Sequence, residues 1–209
     1  MIEKPVLVKA VTTCLEEGKG KRKFVQSIDL AIGFTGVDFK KPDNKINLVL
    51  QLPFVPRKAK IVVYADGPVA VEAKKHADLV LNAAEITVYA KDAKLAKSLQ
   101  GYTSLAVPQL MAAVGKELGK YLRGNMPSVL PPSSNVGEAI ERAKRTISIK
   151  TKGKFLPAAH CIIGNEGMPA EETAENARTV LEALFKKFNE HQFKSIFVKT
   201  TMGKPVRVK

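Results

Sequence analysis

Apolar residues recur along this chain with two periods, one of three to four positions and one of two, and these periods predict its helices and strands. Near the amino end, apolar residues lie three or four positions apart from Leu7 to Leu15, which predicts a helix. Pro5 near its start and Gly18 just beyond its end are typical of helix boundaries. Cys14 lies on the apolar face of this helix, so we expect a buried hydrophobic residue and not a reactive thiol.

Alternation of apolar and polar residues marks both ends of the chain. Strands with this pattern are predicted at 24–34, 46–52, 146–150, 155–163 and 195–200. A long amphipathic helix, with Ala174, Leu181 and Phe188 on its apolar face, precedes the last of these strands. Strands with one apolar face suit an antiparallel sheet that is covered on one side only.

The pattern changes after Pro53-Phe54-Val55-Pro56. The segment Ile61–Ala65 is continuously apolar, as in a strand that is buried on both faces. The elements predicted beyond it are a helix ending near His76, a strand at 79–81, a helix at 84–99, a strand at 102–107, a helix from Pro108, and a helix with a capping-box pattern at Asn135 and Glu138. Strands that alternate with helices predict a three-layer α/β unit with a parallel sheet.

Neither end of the chain offers enough apolar residues to form a core alone, which favours one domain built from both ends. We therefore predict an α/β protein of two domains. Residues 1–56 and 146–209 form a discontinuous α+β domain, and residues 57–145 form an inserted Rossmann-like three-layer α/β domain.

Charge points to the class of partner. The chain carries 34 Lys and Arg against 20 Asp and Glu, which gives a net charge of +14. Such an excess favours nucleic acid or an anionic membrane surface as a partner, and a basic protein without either is the alternative. No apolar run is long enough to span a membrane, and Met1–Ala10 lacks the apolar stretch of a secretion signal. We expect a soluble, cytoplasmic protein with no membrane partner.

The inserted domain invites a nucleotide-binding interpretation, but the glycine motifs that bind phosphates are missing. The turn Asp66-Gly67-Pro68 lacks the three glycines of a dinucleotide fingerprint, and Gly115-Lys116 belongs to no phosphate-binding loop. We therefore expect no cofactor and a fold that serves as a scaffold. A nucleotide-dependent enzyme that uses this domain stays open as the alternative function.

Residues for catalysis or metal binding are equally scarce. His160 and Cys161 are neighbours on a predicted strand, so they point to opposite faces and cannot form a dyad. His76 and His191 have no ligands at metal-binding spacing around them. Two cysteines are too few for a four-thiolate zinc site. We expect no catalytic residue, no metal and no enzyme.

Features at both ends of the chain fit RNA recognition better. The basic loop Lys19–Lys23 leads directly to Phe24, and Ser27 and Asp29 add polar groups on the same strand. Phosphate contacts fix position, while aromatic faces and small polar groups read bases and 2′-hydroxyls.

The turn Thr200–Pro205 offers hydroxyls, backbone N–H groups and a close backbone approach at Gly203. The discontinuous domain would bring residues 22–29 and 199–204 together. We therefore expect one RNA-binding surface made from both chain ends.

Three segments extend this interpretation to a family. They are Lys23-Phe24-Val25-Gln26-Ser27-Ile28-Asp29-Leu30, Ile163-Gly164-Asn165-Glu166 with Met168, and Thr201-Met202-Gly203. In their order and spacing over nearly the whole chain, the sequence resembles the universal family of ribosomal protein one of the large subunit (L-one), in its archaeal form.

The resemblance implies the two-domain fold predicted above and a structural role in the large ribosomal subunit. Members bind large-subunit ribosomal RNA in the mobile stalk beside the tRNA exit site, and many repress translation of their own messenger RNA. Exit-site tRNA as a partner, a ribosome-associated cytoplasmic location and a free monomer are also implied. A free translational repressor or RNA chaperone outside the ribosome overlaps with this role. By motif match, the implied RNA-binding residues are Lys23, Phe24, Ser27, Asp29, Thr201, Met202 and Gly203, with Glu166 and Lys199 as adjacent candidates.

One loop departs from the family pattern. Relatives have Gly-Pro before the Arg-Gly of the second-domain loop, whereas here Gly115–Pro127 reaches Arg123 without it, so the loop is shorter. The departure bears on any secondary contact of this loop with RNA or tRNA, and not on the main surface.

Overall fold

The computed structural model describes residues 3–18, 20, 22–39, 41, 44–122, 126–130, 135–151 and 157–209. The chain forms two compact units. The first comprises Met1–Arg57 with Arg145–Lys209, and the second comprises Lys58–Lys144. The boundaries predicted from the sequence differ from these by one residue at each crossing.

The first unit is an α+β unit. Its elements are α1 (Lys4–Gly18), β1 (Ser27–Phe34), β2 (Asn47–Gln51), β7 (Thr146–Lys150), β8 (Ala158–Asn165), α7 (Ala170–Phe185), β9 (Phe193–Thr200) and β10 (Val206–Arg207). Four strands form an antiparallel sheet of order β10-β9-β1-β8. Strands β2 and β7 form a separate antiparallel pair.

Alternation along β1 decides which face of this sheet is buried. Ile28, Leu30, Ile32 and Phe34 are buried in the core, while the residues between them are half-exposed. Helices α1 and α7 contact each other and the neighbouring strands β9 and β8. One side of the sheet therefore carries the apolar core, as the one-sided alternation predicts, and its burial is the main stabilising contribution.

The second unit is a three-layer α/β unit. Its elements are β3 (Lys60–Tyr64), α2 (Gly67–Ala73), β4 (Leu79–Leu81), α3 (Ala83–Lys91), α4 (Ala93–Ser98), β5 (Tyr102–Ala106), α5 (Pro108–Leu122), β6 (Ser128–Val129) and α6 (Val136–Arg145). The strands form a parallel sheet of order β4-β3-β5-β6.

Both faces of the parallel sheet are covered. Val62 and Tyr64 pack in a cluster with residues of α3, α4 and α5, whereas Ile61 and Val63 pack with residues of α2 and α6. The continuously apolar segment is therefore a strand buried on both faces. The predicted fold class, an antiparallel α+β part with a parallel three-layer α/β part, is confirmed.

The helix predicted at 84–99 is wrong, because it is two helices. Asp92 adopts an extended backbone (φ −99°, ψ 107°) that ends α3. Its carboxylate accepts a hydrogen bond from the Lys94 N–H at 2.8 Å and caps α4. Helix α2 is also shorter than predicted, since it ends at Ala73 and residues 74–76 form a turn.

Three differences concern strands. The two-residue strands β6 and β10 were not predicted, because alternation needs more residues than they have. Strand β8 runs to Asn165, two residues beyond the predicted end. Residues 155–156 of that predicted strand lie outside the described residues.

The cysteines and tyrosines are divided between the units. Cys14 and Cys161 are both buried in the α+β unit. Burial raises the pKa of the Cys14 thiol and raises the pKa of Cys161 to about 12. All four tyrosines, including the fully buried Tyr64, belong to the α/β unit. The expectation of an unreactive Cys14 on an apolar helix face agrees with its burial.

Candidate nucleic-acid interface

One end of the antiparallel sheet brings three distant chain segments together. Strand β1 begins there at Ser27, and its neighbours β8 and β9 end there at Asn165 and Thr200, because both run antiparallel to β1. We call the surface at this end the sheet-end surface. It comprises the exposed and half-exposed residues within 22–29, 165–168 and 199–203.

Thr201 joins the terminal turn to the first residue of β1. Its N–H donates a hydrogen bond to the Ser27 carbonyl at 3.0 Å. Its hydroxyl accepts from the Ser27 N–H at 3.2 Å and lies 3.3 Å from the same carbonyl oxygen, to which it can donate. The early and terminal segments therefore lie together, as the sequence predicts.

Gln26 lies beneath this surface with only 1% of its area exposed. Its Nε2 donates to the Gly18 carbonyl at 2.7 Å and to a Glu166 carboxylate oxygen at 3.3 Å. Its Oε1 accepts from the Met202 N–H at 3.1 Å. One side chain thus links the end of α1, the loop after β8 and the terminal turn. The sequence prediction missed Gln26, although a polar residue at the same parity as the buried Ile28 is a signal that could have found it.

Three large apolar side chains, those of Phe24, Val25 and Met202, are exposed on the sheet-end surface. Phe24 is 52% exposed and Met202 is 59% exposed. Lys23 and Thr201, their neighbours in the chain, are exposed as well. Exposed apolar faces among cations and hydroxyls are what a surface that stacks on bases and neutralises phosphates requires.

The prediction that Phe24 begins the first strand is wrong. Strand β1 begins at Ser27, and Phe24 lies in a bend before it. The physical reason is the buried side chain of Gln26, whose bonds go to the end of α1, the loop after β8 and the terminal turn instead of a neighbouring strand. The chain therefore leaves the sheet before Phe24, which is exposed as a result.

Asp29 and Lys199 are directly opposite each other on β1 and β9. Burial raises the pKa of the half-buried Asp29 carboxyl above its usual value, and the nearby charges of Lys199 and His160 lower it in part. His160 is exposed while Cys161 is buried, so the two do point to opposite faces. The surface thus holds a carboxylate acceptor with the cationic side chain of Lys199 beside it.

Gly18 at the end of α1 and Gly203 in the terminal turn pack closely against Thr200. A Cβ added at Gly18 would lie 2.7 Å from Thr200 Cγ2, and one added at Gly203 would overlap Thr200 Oγ1. The Gly203 N–H donates to the Thr200 carbonyl at 3.1 Å. The close approach expected at Gly203 is therefore made to the protein's own buried Thr200, which is fully enclosed.

Part of the predicted basic region lies outside the described residues. Lys19 and Lys21 are among these, whereas Arg22 and Lys23 are described and exposed. In the α/β unit, Gly115–Lys120 belongs to α5, and Arg123 with its neighbours 124–125 is outside the described residues. The segment Gly115–Pro127, which differs from the family pattern, thus belongs to a different unit from the sheet-end surface.

Searches for two other kinds of feature gave negative results. Within the described ranges, no group of three or more His, Cys, Asp or Glu side chains could hold a metal ion. Over the same part of the chain, no helix combines the length and apolar character needed to cross a bilayer.

Fold and surface together define a basic, split-domain α/β protein whose candidate binding surface lies on the domain formed by both chain ends. Residues 14–204 match the model of the Ribosomal protein L1p/L10e family. The chain belongs to this family, and the family resemblance seen in the sequence is confirmed.

Curated relatives from archaea agree with this assignment. The chain is 41% identical to the large ribosomal subunit protein uL1 of Thermofilum pendens, over 97% of this chain and 92% of the relative. It is 36% identical to the protein of that name from Archaeoglobus fulgidus, over 100% and 99%. It is 38% identical to the one from Pyrococcus abyssi, over 95% of each chain.

Family membership settles the broad class. The protein is a large-subunit ribosomal protein of archaeal type with a structural role in the ribosome. The family is structural and not enzymatic, so the expectation that the chain is not an enzyme is confirmed on that ground, and the alternative of a nucleotide-dependent enzyme is set aside.

Proposed function

We propose that the chain binds large-subunit ribosomal RNA through the sheet-end surface and so helps to form the mobile stalk beside the tRNA exit site. The proposal is supported by one observation above all. The exposed Phe24 and Met202 lie at the same end of the sheet, although their segments are far apart in the chain. Hydrogen bonds join these segments between Ser27 and Thr201, which are 174 residues apart, and between Gln26 and Met202, which are 176 residues apart.

The surface offers each class of contact that folded RNA needs. Exposed cations such as Lys23 neutralise phosphates, which supplies affinity that depends on salt. The ring of Phe24 stacks on a base, and the thioether of Met202 packs against the neighbouring sugar or base. Carboxylates of Asp29 and Glu166 accept hydrogen bonds from 2′-hydroxyls, which DNA lacks.

The remaining polar members of the surface complete this recognition. Ser27 and Thr201 present hydroxyls, Lys199 balances Asp29, and Gly203 keeps the turn close to Thr200 so that its backbone faces the RNA. We assign these residues to RNA binding, and we assign the split α+β unit to the RNA-binding domain. The α/β unit is a scaffold that reaches toward exit-site tRNA.

A second RNA target follows from the same chemistry. A surface that reads local RNA shape and 2′-hydroxyls binds any RNA that folds into that shape. A segment of the protein's own messenger RNA with the ribosomal local structure would therefore bind and repress translation. In this proposal the protein is cytoplasmic and ribosome-associated, and a monomer when free.

The central test is a filter-binding titration with the stalk segment of ribosomal RNA and an unrelated hairpin. We expect Met202→Ala and Thr201→Ala each to weaken binding of the stalk RNA by about 1–3 kcal/mol, the scale of a lost contact or an unpaired polar group. Leu95→Ala is the control, because Leu95 is 40% exposed on α4 of the α/β unit. Unchanged affinity in both surface variants would refute the assignment.

A salt titration of the same complex tests the role of the cations. If about six phosphates are neutralised, the logarithm of the association constant falls against the logarithm of salt with a slope of roughly −5. Competition by the protein's own messenger RNA for the stalk RNA tests the second target. Binding of both RNAs without mutual competition would contradict a shared surface.

A further inference from the structure

We infer that Gln26 is a positioning residue that sets the geometry of the sheet-end surface from below, without contacting the RNA. The inference rests on the proposed function, since it explains how a surface made from three segments acquires one fixed shape. It assigns a role to a buried side chain that lies between two surface residues, Phe24 and Ser27, and that is itself inaccessible to a ligand.

The first support is the reach of the hydrogen bonds of Gln26. Its amide binds Gly18, Glu166 and Met202, which are 8, 140 and 176 residues away in the chain. The Gln26 carbonyl also accepts from the Glu166 N–H at 3.0 Å. Gly18 ends α1 just before the first segment of the surface, while Glu166 and Met202 belong to its other two segments, so a single side chain connects all three places.

The second support is the polarity that the site demands. The amide must donate at Nε2, because the Gly18 carbonyl and the Glu166 carboxylate both accept, and it must accept at Oε1, because the Met202 N–H donates. A carboxylate at position 26 would set acceptor against acceptor twice. A thioether of similar size would leave the Gly18 carbonyl without this bond in a buried place, and it would remove the part-buried bonds to Glu166 and to the Met202 N–H.

Neighbouring packing supplies shape but not this polarity. Thr200 fills the space between Gly18 and Gly203, and its buried hydroxyl has no hydrogen-bond partner among the described residues. The side chain of Thr200 therefore separates the two glycines by its volume, without a hydrogen bond among the described residues. The direction of the Met202 backbone and of the Glu166 carboxylate depends on Gln26.

Asn176 provides a matched control for a merely structural role. Its side chain is as deeply buried, and it also makes three bonds, one from the Phe54 N–H at 3.1 Å, one to the Phe54 carbonyl at 3.1 Å and one to the Ile163 carbonyl at 2.8 Å. It lies in the same unit on α7, and the three bonds go to Phe54 and Ile163, neither of which belongs to the sheet-end surface. Asn176→Asp and Gln26→Glu thus impose the same chemical change on two buried amides.

The experiment measures stalk RNA affinity and thermal unfolding for Gln26→Glu, Gln26→Met and Asn176→Asp in the full chain. We expect both Gln26 variants to bind about 10- to 100-fold more weakly below their unfolding temperature. Asn176→Asp lowers the unfolding temperature and leaves the affinity within about twofold. For Gln26→Met, which changes no charge, the salt slope stays unchanged because no phosphate contact is lost.

Two further variants test the mechanism of positioning. In the double variant Gln26→Glu with Glu166→Gln, the donor at position 166 faces the new acceptor, so we expect part of the affinity to return. Gln26→Met combined with Met202→Ala is expected to be sub-additive, because Gln26 acts through the position of Met202. If Gln26→Glu fails to fold, Gln26→Met carries the test with no buried charge.

The outcomes separate the two proposals. If Met202→Ala has no effect on RNA affinity, the proposed function fails. If Met202→Ala weakens binding while folded Gln26→Met binds within about twofold of the native protein, only the positioning role is overturned. Equal losses of affinity for Asn176→Asp and Gln26→Glu would likewise overturn it, since general destabilisation would then explain both.

Discussion

The two units use their polar side chains over very different distances along the chain. In the α/β unit these bonds span, for example, three residues in the capping box of Asn82 and Glu85 and 21 residues between Gln100 and the Tyr121 carbonyl. In the α+β unit, the bond from Met202 to Gln26 spans 176 residues. The α/β elements can therefore be specified locally, whereas the sheet-end surface exists only when both chain ends are folded together. RNA binding should depend on the integrity of the split unit far more than on that of the inserted one.

The strongest way to break this contrast is to add one methyl group to a glycine in each unit. Gly18→Ala would place a Cβ 2.5 Å from Thr200 Oγ1, and we expect a loss of up to about 3 kcal/mol in unfolding free energy, with weaker RNA binding. Gly119 in α5 has no neighbouring heavy atom within 4 Å of an added Cβ. Gly119→Ala should be neutral or stabilise by up to about 1 kcal/mol through helix propensity.

Urea unfolding measures the unfolding free energy of both glycine variants, and RNA titration measures their affinity for the stalk RNA. Equal destabilisation by the two changes would contradict the contrast between a closely packed sheet end and an open helix surface.

The next effect concerns exposed apolar side chains. Phe24→Ala should weaken stalk RNA binding by about 2 kcal/mol, the scale of a lost base–aromatic stack, while the unfolding free energy stays nearly constant because Phe24 is half-exposed. Val88→Ala is the counterpart in the α/β unit, where Val88 is 59% exposed. We expect no change in affinity there. A comparable loss in both variants would show that the two units share the binding.

The smallest effect is one of pH. Burial raises the pKa of the Asp29 carboxyl above its usual value of 3.8, so the folded chain holds this proton to higher pH than the unfolded chain does. Asp29 therefore lowers stability as pH rises from about 3.8 through its raised pKa, and the penalty persists above that pKa. Asp29→Asn should stabilise the free protein at neutral pH by less than about 1 kcal/mol, since the charge of Lys199 already offsets part of the cost.

Unfolding of the Asp29→Asn variant across the acid range checks the sign. The variant should lack that part of the decline in stability with rising pH, and it should bind stalk RNA more weakly despite its stability. A variant less stable than the native protein at neutral pH would contradict the assignment.

Much of the fold could be predicted because its strongest patterns are local or periodic. Alternation in β1 and the continuous apolar run of β3 each follow from burial on one or two faces. The break at Asp92 escaped prediction because the apolar spacing continues across it, and the extended backbone of one residue ends the helix. Strands of two residues, such as β6, carry no period at all.

The exposed residues of the candidate surface were predicted from the sequence, but the buried residue beneath them was not. Phe24 and Met202 stand out because they accompany charged or small polar residues in the sequence. Gln26 was passed over because a single polar residue in an apolar row has no period, and its three partners are named only by the folded chain. Long-range polar contacts of this kind leave almost no trace in local sequence.

The division of side-chain types between the units equips the molecule with two intrinsic reporters. Every tyrosine lies in one half and every cysteine in the other, and the chain has no tryptophan to mask the phenol emission. Tyrosine fluorescence thus reports the unfolding of the α/β unit. The reaction of the buried thiols of Cys14 and Cys161 with an added thiol reagent reports the unfolding of the α+β unit. The difference between the two unfolding temperatures would measure, without any label, how strongly the unfolding of one unit is coupled to the unfolding of the other.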